Sequence, residues 1–168
     1  TPTFGDIDGD GDLDVLWGNG GGTFWYTENI GSATAPNFNI GIPSTFSGLT
    51  DIGDSSAPTF GDLDGDGDLD VLSGADDGTF HYFENDEILS FLDGITLSGL
   101  TDVGDYSTTA FGDLDGDGDF DMLSGEEDSE FTYFKNIGTE LVPVFEATTT
   151  PSGLSLGAYE YITLGDLD

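Results

Sequence analysis

Phe4-Gly5-Asp6-Ile7-Asp8-Gly9-Asp10-Gly11-Asp12-Leu13-Asp14-Val15-Leu16 returns almost letter for letter as Phe60 to Leu72 and again as Phe111 to Leu123. A fourth copy opens at Leu164-Gly165-Asp166-Leu167-Asp168. Five aspartates spaced by two and interleaved with glycine cannot pack a core. As an array they suit a cage of oxygens for a hard cation. The remaining sequence reads as scaffolding between one cage and the next.

Numbered from Asp6, positions 1, 3, 5 and 9 are Asp6, Asp8, Asp10 and Asp14, with Gly11 at position 6 and Asp12 at position 7. Calcium takes six to eight oxygens, and acids two apart on a curling loop point inward together. Gly11 permits the sharp turn, so that Asp12 offers its backbone carbonyl and turns its side chain outward. The same reading assigns Asp62, Asp64, Asp66 and Asp70 with the carbonyl of Asp68, then Asp113, Asp115, Asp117 and Asp121 with the carbonyl of Asp119. About three calcium ions are expected, one per complete loop. Asp166 and Asp168 form only a partial fourth cage. Magnesium prefers fewer protein ligands, and zinc would want His or Cys. An EF-hand is excluded because its twelfth position, a bidentate Glu, is here Trp17, Ser73 or Ser124.

The Phe-Gly-Asp start at Phe4, Phe60 and Phe111, with Leu164 in the fourth copy, gives steps of 56, 51 and 53 residues. Such a period fits a four-stranded blade better than any helical repeat. Every local signal is β. Short strands lead into each cage (1–4, 57–60, 108–111) and resume at Leu13 to Leu16 and its copies. Glycine-rich hairpins follow at 18–22, 74–78 and 125–129, then aromatic strands at 23–29, 79–85 and 130–136. A less regular fourth strand is expected near 37–42, 88–95 and 143–147. The fold class is therefore all-β: propeller-type blades of four antiparallel strands, three repeats plus the first strand of a fourth. The repeat boundaries fall at about residues 1–56, 57–107 and 108–160, with a fourth repeat starting at 161–168. One blade cannot bury both faces of its sheet, so neighbours must stack.

The 168 residues carry a formal charge of −34, with Lys135 the one basic residue, so nucleic acid and anionic lipid are excluded as partners. That charge destabilises a compact body unless cations or solvent offset it. A 36% hydrophobic content, with 13 Phe, is nevertheless too high for a disordered polyanion. The acids outside the loops fit either further cation binding or an acidic solvating surface. There is no cysteine, hence no disulfide framework. No apolar run is long enough to insert in a membrane as a helix. A start at Thr1 and a finish inside a motif read as a piece of something longer.

Catalysis is not expected. The one histidine, His81, is replaced by Trp25 and Thr132 at equivalent positions, and the closely spaced carboxylates are committed to the cages. Trp17 and Trp25 suit either a sugar-stacking platform or packing between blades, with packing favoured. Asp51-Ile52-Gly53-Asp54 and Asp102-Val103-Gly104-Asp105 read as polar turns, with a weak second cation site as the alternative.

The Phe-Gly pairs and D-x-D-x-D-G-x-x-D loops resemble the FG-GAP/VCBS repeat family, which includes the blades of integrin α-subunits. Glu28-Asn29-Ile30-Gly31 and Ala35-Pro36-Asn37-Phe38 resemble its bacterial VCBS form. The resemblance spans essentially the full length. It implies extracellular, calcium-stabilised blades used in adhesion, matrix or carbohydrate contact. Propellers close with about four to eight blades. Three plus a strand therefore imply further blades of a longer chain, association with copies of itself, or an open array. Three functions follow: a secreted or cell-surface structural or adhesive calcium-binding protein, a self-assembling fibre subunit, or a lectin-like carbohydrate-binding module.

Overall fold

A computed structural model describes residues 1–38, 48–85, 91–95, 97–127, 131–139 and 141–148. Eleven short strands lie among these residues, and no helix. The first sheet holds β1 (Pro2–Gly5), β2 (Asp14–Gly18) and β3 (Phe24–Thr27). The second holds β4 (Ala57–Gly61), β5 (Asp70–Gly74), β6 (Phe80–Asn85) and β7 (Phe91–Ile95). The third holds β8 (Thr108–Gly112), β9 (Asp121–Gly125), β10 (Phe131–Asn136) and β11 (Phe145–Thr148). Each is an antiparallel meander in chain order, and the three do not close on one another as a barrel.

The register repeats with the sequence. Gly5 pairs with Asp14, Gly61 with Asp70 and Gly112 with Asp121, so every acidic loop is the connection between a blade's first two strands. Of the expected fourth strand near 37–42, an antiparallel bridge from Asn29 to Phe38 is seen. The rest of it, like the fourth repeat at 161–168, lies outside the described residues.

The core lies between blades, because strand alternation sends successive side chains to opposite faces. Leu16, Phe24 and Tyr26 of the first sheet meet Val71 and Phe83 of the second. Leu72, Tyr82 and Phe80 meet Met122 and Phe134 across the next seam. Phe24 and Phe83 stand edge to face at 5.6 Å, and Phe80 and Phe134 do so at 6.0 Å. The Phe of each Phe-Gly pair belongs to the same scheme. Phe60 packs onto the first seam and Phe111 onto the second, while Phe4, with no blade before it among the described residues, is 59% exposed.

The linkers between blades lash the stack together. Ser56 Oγ donates to the Thr23 carbonyl at 3.0 Å and accepts from Asn19 N–H at 3.0 Å. Ile52 N–H reaches the Gly22 carbonyl at 3.2 Å, and Ser107 and Val103 repeat the arrangement on the second hairpin. Gly22 has φ +74°, and a Cβ there would lie 1.4 Å from the Gly53 carbonyl oxygen, so only glycine allows this approach.

Candidate metal centres

Each acidic loop is curled by its own aspartates before any cation is considered. In the first loop Asp10 N–H donates to Asp8 Oδ1 at 3.2 Å, Asp12 N–H to Asp10 Oδ1 at 2.9 Å and Gly11 N–H to Asp6 Oδ2 at 3.0 Å. The second loop repeats this ladder at 3.2, 2.9 and 3.2 Å. The third does so at 3.2, 3.1 and 3.1 Å. The sharp turn at position 6 falls on Gly11, Gly67 and Gly118, whose φ values are +92°, +103° and +98°.

This curl brings three carboxylates together in each loop. Ligand atoms of Asp6, Asp8 and Asp10, of Asp62, Asp64 and Asp66, and of Asp113, Asp115 and Asp121 lie within 4.8 Å of one another in each group. Like charges that close repel unless a cation lies among them. An all-oxygen donor set in which backbone N–H groups already fix the carboxylates fits calcium. Asp6 Oδ1 is a buried acceptor with no hydrogen-bond partner, as a ligand oxygen awaiting its ion would be.

The ninth-position aspartates are placed differently. Asp14, Asp70 and Asp121 are fully buried at the first residue of β2, β5 and β9. Asp70 Oδ1 accepts from Asn85 N–H at 2.9 Å, while Oδ2 accepts from Leu63 N–H at 2.8 Å and the Tyr82 hydroxyl at 3.0 Å. Asp14 uses Asn29, Ile7 and Tyr26 in the same way, and Asp121 uses Asn136, Leu114 and Tyr133. Each therefore ties the acidic loop to the blade's third strand. Burial pushes the carboxyls of Asp14 and Asp70 upward, Asp70 to about 6. Burial, followed by the neighbouring carboxylate, also raises the Tyr26 and Tyr82 phenols, which stay protonated and donate.

The tyrosines and asparagines of this brace escape a motif reading centred on the loop. Their signal is nonetheless present: Tyr stands twelve residues and Asn fifteen residues after the ninth-position Asp in all three repeats.

The loops are not equivalent. Lys135 stands where Glu28 and Glu84 stand in the other repeats. Its ammonium bonds Asp115 Oδ2 and lies 3.4 Å from Asp117 Oδ2. That contact holds the Asp115 carboxyl below its usual range and raises the lysine. Asp117 is absent from the third group, where Asp121 takes its place. Asp12, Asp68 and Asp119 are half-buried at position 7 and belong to none of the groups. Asp166 and Asp168 lie outside the described residues.

The other sequence candidates are also placed. His81 sits in β6 opposite Ser73, with a ring nitrogen 3.2 Å from Thr79 Oγ1, which in turn donates to Asp77 at 2.6 Å. Trp17 and Trp25 are half-buried and pair directly across β2 and β3. Asp51 and Asp102 each cap their own turn, accepting from Gly53 and Gly104 N–H at 2.9 Å. A cavity of about 310 Å³ opens where β1, β4 and β8 begin, at the ends of the strands away from the acidic loops. Ser55, Ser56, Tyr106, Ser107, Thr108 and Glu126 are among its lining residues. Tyr106 is 46% exposed and holds φ +59°.

A family model described as FG-GAP-like repeat matches residues 6–73 and again 62–124. No curated protein matches the chain.

Proposed function

Because the chain belongs to the FG-GAP-like repeat family, we propose that it is a non-enzymatic structural or adhesive protein whose acidic loops bind calcium outside the cell. The observation that carries this reading is the threefold gathering of carboxylates within 4.8 Å at equivalent turns. The ligands are Asp6, Asp8 and Asp10 in the first loop, Asp62, Asp64 and Asp66 in the second, and Asp113, Asp115 and Asp117 in the third. Asp14, Asp70 and Asp121 contribute from position 9, and the carbonyls of Asp12, Asp68 and Asp119 from position 7. Calcium supplies positive charge at the densest part of a −34 chain and pins each first-to-second-strand turn. Extracellular modules bind at about 10⁻⁴ to 10⁻³ M, matched to calcium outside the cell. Among the described residues no helix is long and apolar enough to cross a membrane. The exposed Phe4 face suits one further blade, from a longer chain or from a second copy.

The test is a thermal melt with and without chelator. Stripping calcium lowers the melting temperature by many degrees and opens the loops to protease. An identical melt in excess EGTA would overturn the reading.

The cavity at the far ends of the strands favours a second function, carbohydrate contact. An exposed tyrosine ring beside half-buried Ser55 and the Glu126 carboxylate is chemistry for a neutral or amino sugar. A glycan array distinguishes the two: binding abolished by Tyr106→Ala supports the sugar site, and no bound glycan removes it.

A further inference from the structure

The hairpin of the first blade differs from its two counterparts in a residue type with chemistry of its own. Asn19 stands where the other blades have Ala75 and Glu126, and Asn19-Gly20 is the one Asn-Gly pair in the 168 residues. An asparagine can close on the next main-chain nitrogen to form a five-membered ring. Glycine in that next position has no side chain to obstruct the closure.

The fold holds the Asn19 amide by both ends. Its Oδ1 accepts from Gly21 N–H at 2.8 Å and Thr23 N–H at 3.3 Å, and because both groups can only donate, the oxygen end of the amide is fixed. The bond to Gly21 folds the side chain over the Gly20 peptide. At the other end Nδ2 donates to Thr23 Oγ1 at 2.6 Å. Two N–H groups on the carbonyl oxygen stabilise the charge that gathers there when its carbon is attacked. A hydroxyl against the departing nitrogen is placed to supply its proton. Gly20 is exposed, its φ lies outside the left-handed region, and a Cβ there would meet nothing within 4 Å.

We propose that Asn19 is a self-modification site, at which the folded hairpin promotes loss of ammonia from the side chain. The Gly20 main-chain nitrogen bonds to Asn19 Cγ and gives up its proton to solvent. The Cγ–Nδ2 bond breaks, ammonia leaves with a proton from Thr23 Oγ1, and the threonine regains one from solvent. Water then opens the cyclic imide at either carbonyl, leaving aspartate or isoaspartate at position 19. Water is the one co-reactant, and the step does not depend on what the acidic loops bind.

The product acts on the neighbouring linker. The Asn19 carbonyl accepts from Gly22 N–H and Ser56 N–H, both at 3.2 Å, and Asn19 N–H bonds Ser56 Oγ at 3.0 Å. In isoaspartate the main chain runs through Cγ, so this carbonyl becomes part of a free carboxylate. The lash between the first hairpin and the linker to β4 is then undone. Ala75 and Glu126 exempt the other two hairpins at this position.

The experiment is timed incubation of the full chain at mildly alkaline pH, folded in calcium or unfolded in denaturant, read by intact mass and peptide mapping. Conversion of the amide to an acid raises the mass, whereas isomerisation at the Asp-Gly pairs of the acidic loops leaves it unchanged. Asn19 converts several-fold faster in the folded chain than in the unfolded one. Thr23→Val slows the folded chain toward the unfolded rate, Thr23→Ser restores it, and Gly20→Ala suppresses conversion in both. The isoaspartate fraction melts below unreacted protein. Folded conversion no faster than unfolded overturns the proposal, and that comparison decides even if Thr23→Val does not fold. Equal folded rates in wild type and Thr23→Val overturn the role of the hydroxyl, and equal melts overturn the loosened lash.

Discussion

The Tyr82 hydroxyl donates to Asp70 Oδ2 at 3.0 Å inside the second blade, and the same pair recurs as Tyr26 with Asp14 and Tyr133 with Asp121. One buried carboxylate thus serves both the loop that precedes it and the strand that follows. Tyr82→Phe keeps the ring in the seam and removes only the donor. A hydrogen bond to a charged group contributes about 1.5–3 kcal/mol. The variant therefore melts several degrees lower with and without calcium, and an unchanged melt in chelator would show that the hydroxyl is idle.

Position within the loop decides what an aspartate does. Asp10→Asn removes a charge from the first group and weakens calcium binding at that loop. Asp12→Asn leaves its backbone carbonyl in place and binds as wild type. Calcium titration calorimetry compares them directly. Equal losses would contradict the assignment of position 7 to the main chain.

Lys135 gives the third loop a resident cation that the other two lack. Its calcium site is therefore the weakest, and Lys135→Glu, which restores the residue type of the other repeats, strengthens it. Terbium luminescence with Asp115→Asn as the background control reads the third loop alone. Unchanged affinity in Lys135→Glu would mean that the ammonium leaves on binding at no cost.

Acid acts in opposite directions with and without calcium. Burial raises Asp70 to about 6, above its unfolded value, so the folded state binds more protons than the unfolded state. In chelator its contribution is fully present below about pH 4 and is lost as pH rises through about 6. Relief of charge repulsion has the same sign, so the calcium-free protein melts higher at mildly acidic pH than at neutral pH. In calcium, protons compete with the ion and the order reverses. Melting curves across this range in both buffers test the sign, and parallel curves would refute it.

Much of this protein is local and periodic, and such features are legible in sequence. Repetition of Phe-Gly-Asp places the turns, and alternation in Leu13 to Leu16 and Phe24 to Tyr26 identifies strands. The ladder of aspartates curls its own loop through neighbouring N–H groups. These depend on residues a few positions apart, so the one-dimensional spacing carries them. What lay beyond it needed contacts between distant parts of the chain. Tyr82 and Asn85 become partners of Asp70 only when the third strand folds back along the second. Lys135 meets Asp115 across twenty residues.

The same stretch from Phe4 to Leu16 shows the division most directly. Sequence alone determined that it is an acidic, glycine-punctuated loop between two strands, repeated with its scaffold. Tertiary structure decided that Asp14 is a buried brace between the loop and the blade's third strand. It also decided that Phe4 is left in solvent while Phe60 is covered. The physical reason is that a sheet's second face is buried only by its neighbour, and burial sets what each polar group must bind.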